Sequence, residues 1–447
     1  MKRLLSILKY PLFMTLLGSA LAGCSGGDSS STPAPTTGTL TGTVIEAGID
    51  PALPAVKIAS ASVAIFNAKT NAPVATVTTG TDGKYKKALG AGSYYVKVSK
   101  QGYDPVPPTA LEPVPFAISV GKTTTNNIEM FPATMTDTGW ISGKVSIGDS
   151  GKGGVLVVAD DGTNAYSALS NKDGSYVIYN VPVNGGAAYS VTSHLAGYSS
   201  SSRTDVVVVL DSATQNVNLS LTGDATGTVP VDFNVISQTG VVPPENMVVS
   251  LLHPMTRETI PGLSQTQTYS SSISYEFTGV ADGSYLVRAT YANDTIVVDP
   301  DAIRKFGEFR VTVASGSATP NPVAITATSA VTGLTPSNAM ASAAPLSVDA
   351  TTAPTFSWNA YPSASDYVVE VMDATTGTVI WGGFSGSGDA TVKNVVTTVT
   401  SIGYGGPALI SGHVYRWRVY ASKDDNTTLG WHLISASEDQ QGLIKIK

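Results

Sequence analysis

Cysteine, histidine and charge are scarce in this sequence. Its 447 residues include 1 Cys and 4 His, and only 13% of them are charged. A single cysteine excludes an intrachain disulfide, a thiolate zinc cluster and a covalently attached haem. Hydrophobic residues make up 42% of the chain, a composition that argues against a disordered or nucleic-acid-binding protein. At about 100 to 200 residues per domain, the length predicts several domains, each able to bury a core.

Long apolar runs are also missing, except near the start. Residues 4–22 are largely apolar, follow Lys2 and Arg3, and are interrupted by Lys9. A membrane-spanning helix needs roughly 20 unbroken apolar residues, whereas a charged start followed by a short apolar segment is typical of a secretory signal. We therefore predict that residues 1–23 are a signal peptide.

The single cysteine, Cys24, follows this segment directly, because residues 21–24 read Leu-Ala-Gly-Cys. This string resembles the lipobox of bacterial lipoproteins. The resemblance implies cleavage before Cys24, a diacylglycerol thioether on its sulfur and a further acyl chain on its amine, which together give stable membrane anchoring. Ser25 stands where the inner-membrane signal of Gram-negative lipoproteins has Asp, so the resemblance implies the outer membrane. The alternative is an ordinary signal peptide with a chance cysteine.

The mature chain is acidic and begins with a tether. Residues 1–23 contain three cations and no acid, so their removal changes the net charge from -7 to -10. We expect such a body to be repelled by nucleic acid and by anionic headgroups, so that the lipid rather than a basic patch holds it at the membrane. Residues 24–37 are rich in Ser, Gly, Pro and Thr, which predicts a flexible tether of at most about 45 Å.

From residue 38 onward the pattern favours β-structure throughout. Short alternating runs of Val, Thr, Ile and Tyr are separated by Gly, Asp, Asn and Pro. One string recurs, because residues 81–85 read Thr-Asp-Gly-Lys-Tyr and residues 172–176 read Lys-Asp-Gly-Ser-Tyr, with a looser copy at 282–287. Asp-Gly tolerates positive φ in tight turns, so the string predicts a hairpin whose following tyrosine begins a strand facing the core.

The repeated string resembles the carboxypeptidase regulatory-like (transthyretin-like) domain. The resemblance implies β-sandwiches at 38–132 and 138–222 and a divergent one at 226–328. That domain is non-catalytic in metallocarboxypeptidases, and no His here has Glu three residues later, so peptidase activity does not carry over. The related CnaB sandwiches can carry a Lys–Asn isopeptide crosslink. Lys144 with Asn216 or Asn218 could form such a crosslink. However, the required buried acid is not evident, and the simpler interpretation is that these residues face solvent.

The last segment, residues 350–447, has a different character. Four of the five Trp lie here, and the strand around Trp417 alternates, with Tyr415, Trp417, Val419 and Ala421 on one face. The segment resembles a fibronectin type III domain: Trp358 matches its core tryptophan, and Leu409 with Tyr415 matches the leucine and the tyrosine corner of its penultimate strand. The sequence thus predicts an all-β chain, a tandem array of Ig-like and transthyretin-like β-sandwiches.

We assign no catalytic residue, metal ligand or cofactor. The four His are scattered, with no His-x-x-His or His-x-x-x-His spacing for a transition metal. Two acidic loops, residues 160–162 and 424–426, could bind calcium weakly, but neither has the alternating ligands of an EF-hand, so solvated turns are the simpler interpretation. No nucleophile–base or metal constellation recurs, and we do not expect an enzyme.

Three aromatic residues form a candidate carbohydrate-binding site: Trp381, Trp431 and Tyr404. They fall outside the core strings of the last segment, in edge or loop contexts, and an exposed aromatic face can stack on a sugar ring. The alternative is that they pack along the edge of the sandwich.

The sequence therefore predicts a surface-exposed outer-membrane lipoprotein that carries a row of four sandwiches with short linkers at 131–138, 222–227 and 326–349. Its expected role is a non-catalytic binding, adhesion or spacer scaffold. Two alternatives remain open, a carbohydrate-binding surface lipoprotein and an accessory subunit of an outer-membrane or secretion assembly. The expected partners are the outer membrane, through the lipid, and a polysaccharide or envelope protein, with no nucleic acid. A periplasm-facing location is the alternative to surface exposure.

Overall fold

The structure is a computed structural model in which the described residues are 36–47, 54–107, 111, 113–133, 135–199, 201–235, 246–268, 272–291, 295–340, 344–349, 353–374, 377–387 and 390–447. The predicted signal peptide, Cys24 and most of the predicted tether lie outside them. Across the described part, every element is a β-strand except one short α-helix, α1 (Pro300–Phe306), and one 3-10 turn, Asn184–Gly186. This confirms the all-β prediction. None of the helices in that part is long and apolar enough to cross a membrane.

The first sandwich contains nine strands around one apolar core. They are β1 (Gly38–Glu46), β2 (Ser62–Asn67), β3 (Pro73–Thr78), β4 (Lys84–Leu89), β5 (Gly92–Lys100), β6 (Tyr103–Val106), β7 (Phe116–Ile118), β8 (Thr123–Thr125) and β9 (Ile128–Met130). One sheet has the order β4-β1-β8, with β9 also on β1, and the other has the order β3-β2-β5-β6, with β7 on β5.

The second sandwich repeats this sheet order. Its strands are β10 (Thr138–Ile147), β11 (Ser150–Gly151), β12 (Leu156–Asp160), β13 (Ala165–Leu169), β14 (Ser175–Pro182), β15 (Tyr189–His194), β16 (Ser202–Val206), β17 (Ala213–Thr214) and β18 (Leu219–Ser220). Strand β10 pairs with β14, β17 and β18 as β1 pairs with β4, β8 and β9, and the order β13-β12-β15-β16 matches β3-β2-β5-β6.

The third sandwich is built from one continuous curled sheet. Its strands are β19 (Gly227–Val235), β20 (Asn246–Leu252), β21 (Thr259–Thr268), β22 (Ser272–Val280), β23 (Gly283–Tyr291), β24 (Ile296–Val298), β25 (Arg310–Ala314), β26 (Ser317–Thr319) and β27 (Val323–Ser329), with α1 between β24 and β25. The order is β21-β20-β23-β25-β26-β19-β27-β24, with β22 also on β19. Helix α1 begins at Pro300, and the Asp299 side chain caps it by accepting the N–H of Asp301.

The fourth sandwich is the most aromatic. Its strands are β28 (Leu346–Val348), β29 (Thr355–Ser357), β30 (Asp366–Asp373), β31 (Thr378–Gly382), β32 (Phe384–Ser385), β33 (Val392–Lys393), β34 (Val396–Thr397), β35 (Ser401–Gly403), β36 (Val414–Asp424), β37 (Trp431–Ala436) and β38 (Leu443–Ile446). The predicted alternation along β36 is confirmed, because Tyr415, Trp417, Val419 and Ala421 are all buried. The Tyr415 hydroxyl accepts the N–H of Ile410 at 2.8 Å, next to the predicted corner leucine.

The Asp-Gly turns differ from the expected hairpins. Gly83 and Gly174 do adopt positive φ, at 72° and 86°, and the preceding carboxylates, Asp82 and Asp173, accept backbone N–H groups two residues later. However, β3 and β4 lie in different sheets, as do β13 and β14. Each turn therefore carries the chain across the sandwich, and the hairpin prediction is wrong because local turn chemistry does not specify which sheet the next strand joins.

The tyrosine after each turn faces the core, as predicted. Tyr85 and Tyr176 are 3% and 1% exposed, and their hydroxyls donate to the carbonyls of Asn126 and Val217, each at 2.6 Å. The same carbonyls lie very close to the opening strands. A Cβ on Gly42 would be 1.9 Å from the Asn126 oxygen, and one on Gly143 would be 1.9 Å from the Val217 oxygen. This backbone contact explains why both opening strands have glycine at this position, Gly42 in β1 and Gly143 in β10.

The second and third sandwiches share apolar surface. Residues 155–159 are all buried, because Val155, Val157 and Ala159 face the core of the second sandwich while Leu156 and Val158 face that of the third. A strand covered on both faces needs a continuous apolar sequence rather than an alternating one. Strand β12 therefore joins the two sandwiches by contributing side chains to both cores.

The sandwiches do not form the expected row. The first contacts the second through Gln101 and Asn180, the third through an ion pair of Lys97 with Glu258 at 2.5 Å, and the fourth through Glu129 with Lys445 at 2.6 Å. Residues 36–447 accordingly form one compact unit. The row was inferred from short linkers, and linker length does not limit contacts between distant segments.

The fourth sandwich also begins earlier than residue 350. Val331 and Leu334 lie in its core, and β28 pairs with the closing strand β38. The Trp417 indole N–H donates to the carbonyl of Pro336 at 2.7 Å. Most of the predicted linker at 326–349 is therefore part of a folded unit, which its small and polar residues did not indicate.

Candidate functional site

Two of the three candidate sugar-binding residues lie together. Trp381 is in β31 and Tyr404 follows β35, and their ring centroids are 5.1 Å apart in an edge-to-face arrangement. Both rings are half-buried against the core through Phe356. The Tyr404 hydroxyl donates to the carbonyl of Pro407 at 2.7 Å, and this bond fixes the ring beside Gly406, where a Cβ would lie 2.6 Å from the Tyr404 ring and 2.8 Å from the Trp381 Cβ. The pair is a rigid, partly exposed aromatic corner.

Trp431 lies elsewhere and is 9% exposed. Its ring stacks on Phe384 at 6.0 Å, and two cations approach it, the Arg304 guanidinium at 5.2 Å and the Lys393 ammonium at 4.9 Å. Trp431 begins β37, whose pairing partner is β36, so it lies in a strand-edge position as expected, but its buried ring packs along that edge and has no open face for a sugar. The sequence could not show this, because Arg304 comes from α1 of the third sandwich, a helix that we did not predict.

The surroundings of Trp431 form a joint between the third and fourth sandwiches. The Asp301 carboxylate accepts from the guanidinium of Arg304 at 3.0 Å and from the N–H of Leu433 at 3.3 Å. The second cation near the ring, Lys393, is paired with Asp366 at 2.6 Å, and both side chains are mostly buried. These charged side chains connect structural elements, and each is already engaged in an ion pair.

A second polar network lies on the outer face of β36. The Tyr420 hydroxyl donates to Glu370 at 3.3 Å and accepts from Arg418 at 3.3 Å, and Arg418 also pairs with Asp439. Burial raises the pKa of Tyr420 to about 12. Burial, and then the neighbouring Arg418, lower the pKa of Arg416 to about 10. The structure thus places two acids, Glu370 and Asp439, beside Tyr420 and Arg418.

The two acidic loops are turns held by their own side chains. Asp161 accepts the N–H groups of Thr163 and Asn164, and these backbone hydrogen bonds lower the pKa of its carboxyl group. Asp425 accepts from Thr427 and is hydrogen-bonded to the His432 ring at 2.6 Å. Within the described residues, no group of three or more His, Cys, Asp or Glu is arranged to hold a metal ion.

Two histidines that are distant in sequence come together between the second and third sandwiches. His194 ends β15 and His253 follows β20, and their ring centroids are 5.2 Å apart. Burial, and then the neighbouring His253, lower the pKa of His194 to about 3. Burial also lowers the pKa of His253, although Asp160 opposes that effect. The four His are scattered in the sequence, and no spacing could have indicated this pair.

The residues of the possible isopeptide bond have another role. Lys144 and Asn218 are exposed, and the Asn218 side-chain oxygen accepts the backbone N–H of Lys144 at 3.0 Å. Asn127 makes the same bond to Thr43 in the first sandwich, also at 3.0 Å. These asparagines therefore join the opening and closing strands through the backbone. An exposed amine and amide without a buried acid do not favour a crosslink.

Comparisons with known proteins find similarity only among solved structures. No protein-family model matches the chain, and no curated protein matches it. Similar structures include BcpA, the major pilin subunit of Bacillus cereus, at 12% identity over 66% of this chain and 99% of that chain, with a TM-score of 0.17. The shaft pilin SpaA from Lactobacillus rhamnosus GG is 12% identical over 42% of this chain and 99% of that chain, with a TM-score of 0.19.

The Bacillus anthracis TIE protein is 12% identical over 57% of this chain, with a TM-score of 0.16, and the matched region spans 46% of that protein. At such identities and TM-scores the likeness carries no argument about activity. The fold class rests on the sheets described above, and function has to be argued from the residues.

Proposed function

We propose that the protein is a lipid-anchored component of the cell envelope whose packed sandwiches act as a non-catalytic binding or adhesion scaffold. The sequence supports the anchor through residues 21–24 and the tether that follows them. One structural observation carries the scaffold role. Prominent buried charges of the described residues connect elements, as Asp301 does with Leu433 and Lys393 with Asp366, instead of converging on an open cleft.

The four sandwiches pack together instead of forming an extended row. Because the first sandwich contacts the fourth, through Glu129 with Lys445, the chain does not extend its last sandwich away from the membrane as a spacer would. The proposed scaffold is a single body that presents its surfaces close to the anchor. Outer-membrane attachment belongs to the same proposal and is supported by Ser25 after the cysteine; surface exposure is proposed with it, and a periplasm-facing location is the alternative.

The anchor is tested by replacing Cys24. In the wild-type chain, mass spectrometry of the exported protein is expected to find Cys24 at the amino terminus carrying acyl groups, and the protein should sediment with outer membranes. The Cys24→Ser variant should appear as a soluble exported protein with an unchanged melting temperature, because the first strand of the first sandwich begins at Gly38. An unmodified thiol in the exported wild-type chain would overturn the proposed anchor.

Carbohydrate binding is the second candidate, and the aromatic corner of Trp381 and Tyr404 supports it. The two rings are held at a fixed angle and are half-buried, so a sugar could stack on them with little loss of side-chain freedom. Trp381→Ala is expected to abolish glycan binding, whereas Trp431→Phe, at the buried ring, should preserve it. Glycan-array binding that survives Trp381→Ala would remove this candidate.

The third candidate, an accessory subunit of an envelope assembly, predicts a constant protein partner. Crosslinking in intact cells followed by purification would recover that partner in the wild type and in Trp381→Ala alike. If no constant partner is recovered, the accessory-subunit candidate is removed and the scaffold acts alone.

A further inference from the structure

The positive charges of the mature chain are unevenly distributed. Residues 38–132 contain 8 Lys and no Arg against 6 Asp and Glu, whereas residues 133–447 contain 15 Lys and Arg against 26 Asp and Glu. The first sandwich is therefore the one sandwich with an excess of positive charge, in a chain that is acidic overall. Net charge alone led us to expect that no basic patch would help to hold the body at the membrane.

Three of these lysines form a row on one sheet face. Lys86 lies opposite Thr41 of β1, Lys84 lies opposite Thr43, and Lys57 bridges to Ile45. Alternate residues of a strand point to the same side, about 7 Å apart. Because Tyr85, between two of the lysines, is buried in the core, the row points outward. All three lysines are exposed.

The remaining outer face of this sheet is largely uncharged. It carries the threonine side chains of β1 and β8, which are half-buried or exposed: Thr39, Thr41, Thr43, Thr123 and Thr125. Two acids lie near the lysine row. Asp82 pairs with Lys84 at 3.4 Å, but both side chains are well exposed and such a pair is weak. Glu129 is already paired with Lys445 of the fourth sandwich.

We propose that this lysine face docks on the anionic phosphate groups of a lipid bilayer surface. The inference rests on the proposed lipid anchor. The predicted tether reaches at most about 45 Å and leads into Gly38, the first residue of β1, which is the strand beside the lysine row. A short tether keeps the lysines at a high effective concentration near the headgroups, while the acidic remainder of the chain is repelled from the same surface.

The docked face orients the body. Each lysine close to an anionic membrane strengthens binding roughly fivefold, so three lysines suffice to select one orientation of a tethered body although they would bind weakly alone. The second sandwich does not reproduce the row. The residues of β14 that pair with Ser142 and Lys144 are Val177 and Ser175.

The test uses the lipidated protein in liposomes of phosphatidylcholine alone or of phosphatidylcholine with phosphatidylglycerol. A water-soluble acetylating reagent is applied, and modification of each lysine is measured by mass spectrometry. We expect Lys57, Lys84 and Lys86 to react at least threefold more slowly on the anionic liposomes, while the exposed Lys172 and Lys423 react equally on both. Equal rates for all five lysines would overturn the docking face. Failure of the protein to enter liposomes at all would instead count against the anchor.

A second experiment does not depend on lipidation. The mature chain with Cys24→Ser is floated with anionic vesicles at low ionic strength, with and without Lys57→Gln, Lys84→Gln and Lys86→Gln. We expect the triple variant to bind at least tenfold more weakly. The control Lys144→Gln, Lys172→Gln and Lys423→Gln removes the same charge from other sandwiches and should change binding less than twofold. Equal loss in both variants, or equally strong binding to duplex DNA, would overturn the proposal.

Discussion

The first two sandwiches share one topology but meet the third in opposite ways. The second places Leu156 and Val158 against the apolar core of the third. The first reaches the third through polar contacts, Lys97 with Glu258 and Asn71 with Ser250. A buried apolar joint fixes two units rigidly, whereas a few half-exposed polar contacts permit relative motion.

The difference traces to two outward positions of one strand. In the first sandwich the N–H of Ala61 donates to the Thr79 hydroxyl, and in the second the N–H of Val155 donates to that of Ser170. This equivalence aligns the next residues, so that Ser62 and Ala64 correspond to Leu156 and Val158. A small change in side-chain type thus decides whether the face of a sandwich becomes a core or a surface.

The largest expected effect comes from placing a charge in the apolar joint. Val158→Asp should destabilise the protein by about 3–5 kcal/mol, because it buries an unpaired carboxylate between two cores. The matched control is Ala64→Asp at the corresponding half-buried position, which should cost less than about 1 kcal/mol. Urea unfolding of both variants measures the difference. Equal losses would show that the two joints are alike.

Acid should weaken the same joint. The folded pKa of His194 is about 3, below the ordinary value of about 6.5, so the unfolded state binds more protons between these values and stability falls as the pH drops below 6.5. The loss should reach about 2 kcal/mol at pH 5. Melting curves at pH 7.5 and pH 5 measure it, and His194→Gln should reduce the dependence. Identical pH dependence in the variant would contradict the assignment to this joint.

Tyr85→Phe and Tyr176→Phe should each cost about 1 kcal/mol, because each leaves one backbone carbonyl without its hydrogen bond. These bonds lie inside the sandwiches rather than between them, so the two losses should be equal. Thermal unfolding measures both. A much larger loss in the second sandwich would mean that its coupling to the third also strengthens its interior.

The smallest effect is expected at the polar joint. Lys97→Met should change the free energy of unfolding by less than about 1 kcal/mol, because Lys97 and Glu258 are both about one-third exposed and such pairs contribute little. Small-angle scattering should nevertheless show a larger radius of gyration if the first sandwich moves. A destabilisation comparable to that of Val158→Asp would contradict the proposed difference between the joints.

Local patterns predicted the strands and failed on the contacts between units. Alternation in β36 and the tyrosines after the Asp-Gly turns follow from side-chain periodicity, which a sequence displays directly. The apolar run at 155–159 does not reveal its second covered face, because a doubly buried strand and a single-sided one cannot be distinguished in so short a segment. The environment of Trp431 depends on Arg304, 127 residues earlier, and no local pattern reports such a pairing.

Strand β12 has a practical consequence for dividing the molecule. A fragment cut at the repeat boundary near residue 222 would keep Leu156 and Val158 but lose the third sandwich that covers them. The exposed apolar side chains would then promote self-association. Properties measured on that fragment would describe an oligomer that the full chain does not form. Residues 138–329 are accordingly the smallest piece that retains both halves of the joint.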